Sequence, residues 1–187
     1  MIPQLIHVLL LEDNPDDAAL VRELLSEEHA EVFQLEWVDH LQAALNYLGE
    51  HSVDVVLCDL NLPDGLGLDA FSKVFSYVPT VPIVILTGTY EERELALKAL
   101  RQGAQDYLVK GKVDSALLSR VIRYAIERKR VEAELQSANH ELKIKLEQVA
   151  WLNQIMMERE QRIIELKEEN RQLRTRPDGA HHAQPSS

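Results

Sequence analysis

Cysteine occurs once in the 187 residues, at Cys58. That excludes an internal disulfide framework and a cysteine-based zinc cluster. Apolar runs are short, Val8–Leu11 being representative, and none approaches the roughly 18 residues of a membrane span. No Lys or Arg precedes Arg22, which argues against a secretory or transit leader, so a cytoplasmic protein without membrane insertion is expected. Bases are scarce: 20 Lys and Arg stand against 31 Asp and Glu, a net charge of −11. An acidic total argues against direct nucleic-acid binding. With 45% apolar and 27% charged residues, a packed core is expected. The length suits one ordinary domain with an appendage, or two very small domains.

Glycine and proline are missing from one part of the chain. Apart from Gly179, Pro177 and Pro185, all of them lie in residues 1–111, and residues 112–176 contain neither. Charge divides at the same place. Residues 1–111 hold 19 acids and 6 bases, net −13, whereas residues 112–187 hold 12 acids and 14 bases, net +2. Two physically different segments meet near residue 111.

In the acidic segment, five runs rich in Val, Ile and Leu stand at His7–Leu11, Val32–Val38, Val53–Cys58, Ile83–Leu86 and Tyr107–Val109. Such runs suit strands buried on both faces. Between them, residues 16–29, 40–50, 67–78 and 91–102 carry apolar residues three and four apart. In the first, Ala18, Leu20, Val21, Leu24 and Leu25 share one face. Asp39 reads as the N-cap of the second helix, Gly103 as the stop of the fourth. Asp64-Gly65-Leu66-Gly67 reads as the turn into the third. The alternation predicts an α/β domain with a parallel sheet and right-handed crossovers.

Polar residues follow the runs. Glu12 and Asp13 end the first, Asp59 the third, Thr87 the fourth and Lys110 the fifth. In open parallel sheets ligands sit beyond the carboxyl ends of the strands, near the reversal of strand order. Clustered carboxylates repel one another, which raises a pKa or requires a cation. With oxygen ligands only, that cation is a hard one, Mg2+ or Mn2+. A lysine and a threonine hydroxyl beside it suit phosphoryl oxygens. Each residue alone has a plainer reading: a cap, a turn former or a solvated charge. Four such sites on one edge do not.

These residues carry a family resemblance. Val8-Leu-Leu-Leu-Glu-Asp-Asn-Pro, Val55-Val-Leu-Cys-Asp-Leu-Asn-Leu-Pro-Asp-Gly, Ile83-Val-Ile-Leu-Thr-Gly and Gly103-Ala-Gln-Asp-Tyr-Leu-Val-Lys resemble the receiver domain of two-component response regulators over roughly residues 5–126. The resemblance implies a flavodoxin-like five-stranded sheet of order 2-1-3-4-5. It implies Asp59 as acceptor of a phosphoryl group from a sensor histidine kinase or phosphotransfer protein. It further implies Mg2+ held by Asp13, Asp59 and the Asn61 carbonyl, with Glu12 acting through bound water. Thr87 and Lys110 would bind phosphoryl oxygens, and Tyr107 would follow Thr87 as a switch aromatic. Asn61 and Thr89 match positions that tune dephosphorylation. One departure stands out: the family usually has proline after the lysine, where this chain has Gly111. Cys58, inside an apolar run, reads as a buried inert thiol.

The second segment predicts one long helix, capped by Asp114 and unbroken to Pro177. Leu117, Leu118, Val121, Ile122 and Ala125 should pack on the sheet. Beyond them a heptad pattern continues. Its a positions are Val121, Arg128, Leu135, Leu142, Val149, Met156, Ile163 and Asn170. Its d positions are Tyr124, Val131, Ala138, Lys145, Leu152, Arg159, Leu166 and Leu173. Twelve of these sixteen are apolar, the pattern of a coiled coil. Nothing else in the chain can cover such a seam, so a homodimer is expected, and Asn170 at an a position favours two in-register strands. Lys145 and Arg159 weaken the seam. Arg128-Lys129-Arg130 reads as a solvated helix face and His140 as an exposed residue at an f position.

The expected organisation is therefore a receiver over residues 1–126, a coiled-coil stalk over 127–176 and a disordered tail over 177–187. The expected function is a response regulator that is not an enzyme beyond transfer to and from Asp59, signalling through the stalk to a downstream protein that the sequence does not name. Two alternatives belong to other classes. One is a coiled-coil adaptor, or a piece of a larger hybrid kinase or cyclase, with the receiver as docking module. The other is a phosphohydrolase working through an aspartyl phosphate.

Overall fold

A computed structural model describes residues 5–27, 32–88 and 90–175. They belong to two compact units, residues 1–135 and 136–187.

In the first unit the chain runs β1 (Leu5–Leu11), α1 (Pro15–Ser26), β2 (Val32–Val38), α2 (Leu41–Glu50), β3 (Val55–Asp59), β4 (Asn61–Leu62), β5 (Gly65–Leu66), α3 (Leu68–Tyr77), β6 (Ile83–Thr87), α4 (Tyr90–Arg101) and β7 (Asp106–Val109), and then enters α5 (Ser115–Thr175). The five longer strands form one parallel sheet in the order β2-β1-β3-β6-β7. Counting only the five long runs, that is the expected 2-1-3-4-5.

Helices on both faces explain the uninterrupted apolar runs. Leu9, Leu11, Val56, Cys58, Ile83 and Ile85 face one core with Ala44, Leu48, Phe71, Val74, Ala96 and Ala99 of α2, α3 and α4. The alternate residues Val8, Leu10, Val55, Leu57, Val84, Leu86 and Leu108 face a second core with Ala18, Leu25, Leu118, Val121, Ile122 and Ala125 of α1 and α5. All five residues of β3 and of β6 are buried, so neither strand alternates. At the sheet edge, β2 does alternate: Phe33, Leu35 and Trp37 turn inward while Gln34 and Glu36 are exposed. Each fully buried Leu or Phe contributes about 1.5–3 kcal/mol.

Several helix ends form as their residues dictate. Asn14 accepts from the Asp16 N–H at 2.9 Å, with Pro15 opening α1. Asp114 accepts from the Leu117 N–H at 2.7 Å to start α5. Gly103, with φ 114°, ends α4 against the Phe75 ring, where an added Cβ would lie 2.8 Å from a ring carbon. A non-glycine residue there meets both backbone strain and a clash.

Other expectations fail. Asp39 does not cap α2: the cap residue is His40, and Asp39 turns instead to the His40 ring at 2.5 Å. The helix is capped from a distance by Asp64, whose two carboxylate oxygens accept from the Leu41 and Gln42 N–H groups at 2.8 and 3.0 Å. The loop carrying Asp64 is also more than a turn into α3, because β4 and β5 pair as a small antiparallel hairpin. Helix α1 ends at Ser26, short of the expected residue 29, and residues 28–31 lie outside the described ones. Leu20, assigned to the apolar face, is 42% exposed.

Helix α5 packs on the sheet through Leu118, Val121, Ile122 and Ala125, with Leu117 half-buried. It still touches the body further along: the Lys129 ammonium lies 5.5 Å over the Phe75 ring, and Glu132 accepts from the Gln105 amide at 3.2 Å. Lys129 is thus largely covered, whereas Arg128 and Arg130 pair with Glu127, Glu132 and Glu134 on an exposed face.

In the second unit, residues 136–175 are helical, and every described side chain is exposed. That includes His140 and the apolar seam residues, among them Leu142, Val149, Leu152, Met156, Ile163, Leu166 and Leu173, each 43–62% exposed. Lys145, at a d position, pairs with Glu141 at 2.6 Å. The tail expected to be disordered, residues 177–187, lies outside the described residues. Among the described residues, no helix is long and apolar enough to cross a membrane.

Candidate functional site

Strand order brings the ends of β1, β3, β6 and β7 to one edge, and with them Glu12, Asp13, Asp59, Thr87 and Lys110. Register fixes their depth: Leu11 pairs with Cys58, Asp59 with Leu86 and Thr87 with Val109. Glu12 is anchored by its N–H to the Val38 carbonyl at 3.0 Å, while its own carbonyl accepts from the Trp37 indole at 2.7 Å.

The Lys110 ammonium is the hub. It lies 2.8 Å from Asp59 Oδ2, 2.7 Å from Glu12 Oε2 and 3.0 Å from Asp17 Oδ2. Burial alone would lower this ammonium, but its hydrogen bonds to Asp59 and Glu12 outweigh burial and hold it above its ordinary pKa. Asp17, in the first turn of α1, is a partner that the sequence pattern does not single out.

Gly111 explains how Lys110 is presented without the usual proline. The Lys112 N–H donates to the Val109 carbonyl at 3.1 Å, closing a β-turn whose third residue, Gly111, has φ 75°. Only glycine adopts that dihedral readily. Proline, locked near −65°, cannot. The Lys110 N–H also donates to the Thr87 carbonyl at 2.7 Å, tying the turn to β6.

Glu12 is fully buried and Asp59 2% exposed, whereas Asp13 is exposed. Burial raises Glu12, the Lys110 ammonium lowers it and the Asp59 charge raises it again, leaving its pKa pushed up to about 7. The folded state thus holds a proton on Glu12 that the unfolded chain has released. Between the unfolded value near 4.5 and the folded value near 7, its contribution to stability falls as pH rises. Thermal melts of cation-free protein at pH 5 and pH 8 are therefore expected to show Glu12→Gln gaining on the wild type as pH increases.

One carboxylate oxygen each from Glu12, Asp13 and Asp59 lies within 4.8 Å of the others. Glu12 Oε2 is buried, with the Lys110 ammonium 2.7 Å away. An all-oxygen donor set of three carboxylates, two of them buried, fits a hard divalent cation.

Asn61 sits on the rim. Its N–H donates to Asp59 Oδ1 at 3.2 Å and its amide to Glu92 Oε1 at 3.4 Å. Thr87 is fully buried, and its hydroxyl donates to the Leu108 carbonyl at 3.3 Å rather than into the carboxylate cluster. Tyr107 is half-buried against the core that contains Ile83 and Ile85, the strand face that Thr87 shares by alternation. Thr89 lies outside the described residues. Cys58 is fully buried, and burial pushes its thiol well up, as an inert thiol requires.

The chain matches the response regulator receiver domain family over residues 8–122. It belongs to that family. The receiver is 34% identical to the transcriptional regulatory protein MalR of Bacillus subtilis over 57% of this chain and 44% of that protein. It is 37% identical to the response regulator protein FleR of Pseudomonas aeruginosa over 64% of this chain and 24% of that one. The chain thus spans less than half the length of either relative. Among solved structures, it resembles a receiver domain protein of Clostridium thermocellum, with TM-score 0.59, 26% identity and coverage of 67% of this chain and 98% of that one. It also resembles the receiver domain of the sensor histidine kinase PA1611 of Pseudomonas aeruginosa, solved with magnesium coordinated in its active-site cleft. There the TM-score is 0.57 at 26% identity, covering 66% of this chain and 99% of that one.

Proposed function

We propose that this receiver accepts a phosphoryl group on Asp59 from a phosphohistidine of a sensor histidine kinase or phosphotransfer protein. The observation that carries the reading is the Lys110 ammonium seated 2.8 Å from a nearly buried Asp59, beside Glu12 and Asp13. An Asp59 carboxylate oxygen attacks phosphorus, the P–N bond breaks, and the imidazole leaves with the electron pair. Lys110 neutralises charge on the transferring group and holds its oxygens, with the Thr87 hydroxyl supplying a second donor once it turns from Leu108. Asp13, Asp59 and the Asn61 carbonyl would hold Mg2+ directly and Glu12 through water; Mg2+, or Mn2+ in its place, would neutralise the phosphoryl oxygens. Water later cleaves the acyl phosphate, releasing phosphate and restoring Asp59. No other substrate turns over.

Signalling in this reading passes through Tyr107 and the face of β6, β7, α4 and α5, and through a stalk of residues 127–176 that pairs with a second copy. The exposed apolar seam supports the stalk, whose first turns still touch the body at Lys129 and Glu132. The receiver proper is residues 1–126. Its target is a protein, not nucleic acid.

Acetyl phosphate labelling with and without Mg2+ tests the proposal. An acid-stable but hydroxylamine-sensitive label, dependent on Mg2+ and mapping to the peptide containing Asp59, is expected. Absence of label under these conditions would support a docking module instead.

A further inference from the structure

Glu92 lies in the first turn of α4, and its carboxylate reaches back to the rim of the site. Oε1 accepts from the Asn61 side-chain amide at 3.4 Å, and Oε2 accepts from the Gly88 backbone N–H. Both donors border the reacting groups. The Asn61 N–H holds Asp59 Oδ1 at 3.2 Å. Gly88 follows Thr87, and a Cβ on it would lie 4.0 Å from Lys110 Cδ. One intervening residue thus separates the Glu92 carboxylate from Asp59 on one side and from Lys110 on the other.

In local terms Glu92 satisfies the Gly88 N–H just ahead of α4, a reach-back akin to that of the acidic member of a capping box. A neutral acceptor would serve that end equally well. The negative charge has a further effect, because it adds to Glu12, Asp13 and Asp59 at the place where both a cation and a phosphoryl anion are to be bound. It favours the first and opposes the second. It also occupies the Gly88 N–H, a donor at the strand end that phosphoryl oxygens could otherwise use.

We infer that Glu92 is a specificity-determining residue for the proposed transfer, its carboxylate favouring the divalent cation and disfavouring the phosphoryl group through the donors it shares with the site. The inference rests on Asp59 being the acceptor. On phosphorylation, repulsion would release Glu92 from Gly88 and Asn61, loosening the first turn of α4.

The test uses the full chain with Glu92→Gln, whose amide oxygen can still accept from the Gly88 N–H. Mg2+ affinity is measured alone, and beryllofluoride affinity at saturating Mg2+. Removing one unit charge from a partly exposed position is expected to weaken Mg2+ about two- to fivefold and to tighten beryllofluoride about five- to tenfold. Thermal melts separate this from capping: Glu92→Ala should lose stability, whereas Glu92→Gln should keep it. In wild type, hydrogen exchange at residues 90–93 should quicken on beryllofluoride binding. Affinities that move together, or not at all, in a Glu92→Gln protein that melts like the wild type would overturn the inference. A wild type that neither binds beryllofluoride nor labels at Asp59 would overturn the acceptor reading itself.

Discussion

Asp59→Asn is expected to lose labelling by acetyl phosphate entirely while raising the melting temperature of the cation-free protein. The amide cannot act as the nucleophile, so no acyl phosphate forms. Its effect on folding has the opposite sign, because it removes one negative charge from a buried site that already holds Glu12. Lys110 keeps Glu12 at 2.7 Å and Asp17 at 3.0 Å, so the ammonium is not stranded. Relief of repulsion is expected to stabilise by on the order of 1 kcal/mol. Lys110→Met should impair labelling too, yet lower stability by about 3 kcal/mol at pH 8, since two buried carboxylates lose their countercharge. Lower pH or added Mg2+ should return part of that loss. Melts and labelling run side by side on the two variants read out the opposed signs. Two variants that shift stability in the same direction would mean that the cluster is not governed by charge.

If the stalk pairs as proposed, Val149→Asp is expected to convert the dimer into a monomer without touching the labelling of Asp59. Val149 occupies an a position and is 56% exposed within its own chain, so in the proposed dimer its contacts come from the second copy. Burying a valine is worth about 1.5 kcal/mol or more, and an aspartate in its place adds the cost of desolvating a charge. Two copies of the change meet in one dimer, so a loss of about 4 kcal/mol corresponds to roughly a thousandfold weaker association. Sedimentation equilibrium of wild type and variant at micromolar concentration measures it. An unchanged mass would show that the exposed seam is not where copies pair.

The five strands and the meeting of Glu12, Asp13, Asp59 and Lys110 at one edge are legible from sequence because both arise from one regularity, whereas the order of the strands follows from the family resemblance. Strands covered on two faces become apolar runs, and each polar residue that ends a run must emerge at the same edge. What is not legible depends on loops folding back. Asp64 caps α2 from 23 residues away, and no local pattern announces it over Asp39. Asp17 reaches Lys110 across 93 positions. Gly111 in place of proline permits a positive φ without announcing one, and the φ of 75° it adopts decides how the turn after β7 closes. Glu92 had a signal, standing three residues after Thr89 in the spacing of a capping box. Its reach to Asn61 had none, since that depends on the loop after β3.

The second unit carries one further consequence. All its described side chains are exposed, so a single chain has little beyond local pairs, such as Glu141 with Lys145, to hold the helix together. Isolated helices are marginal in water even when their residues favour them. Helix and partner contacts would then form in one step, and the fraction folded would depend on total concentration by mass action. Circular dichroism on dilution would follow helix loss and dissociation as a single transition. The number of copies in the cell would then act as an input alongside the phosphoryl group, determining how many receivers are joined to a stalk when the signal arrives.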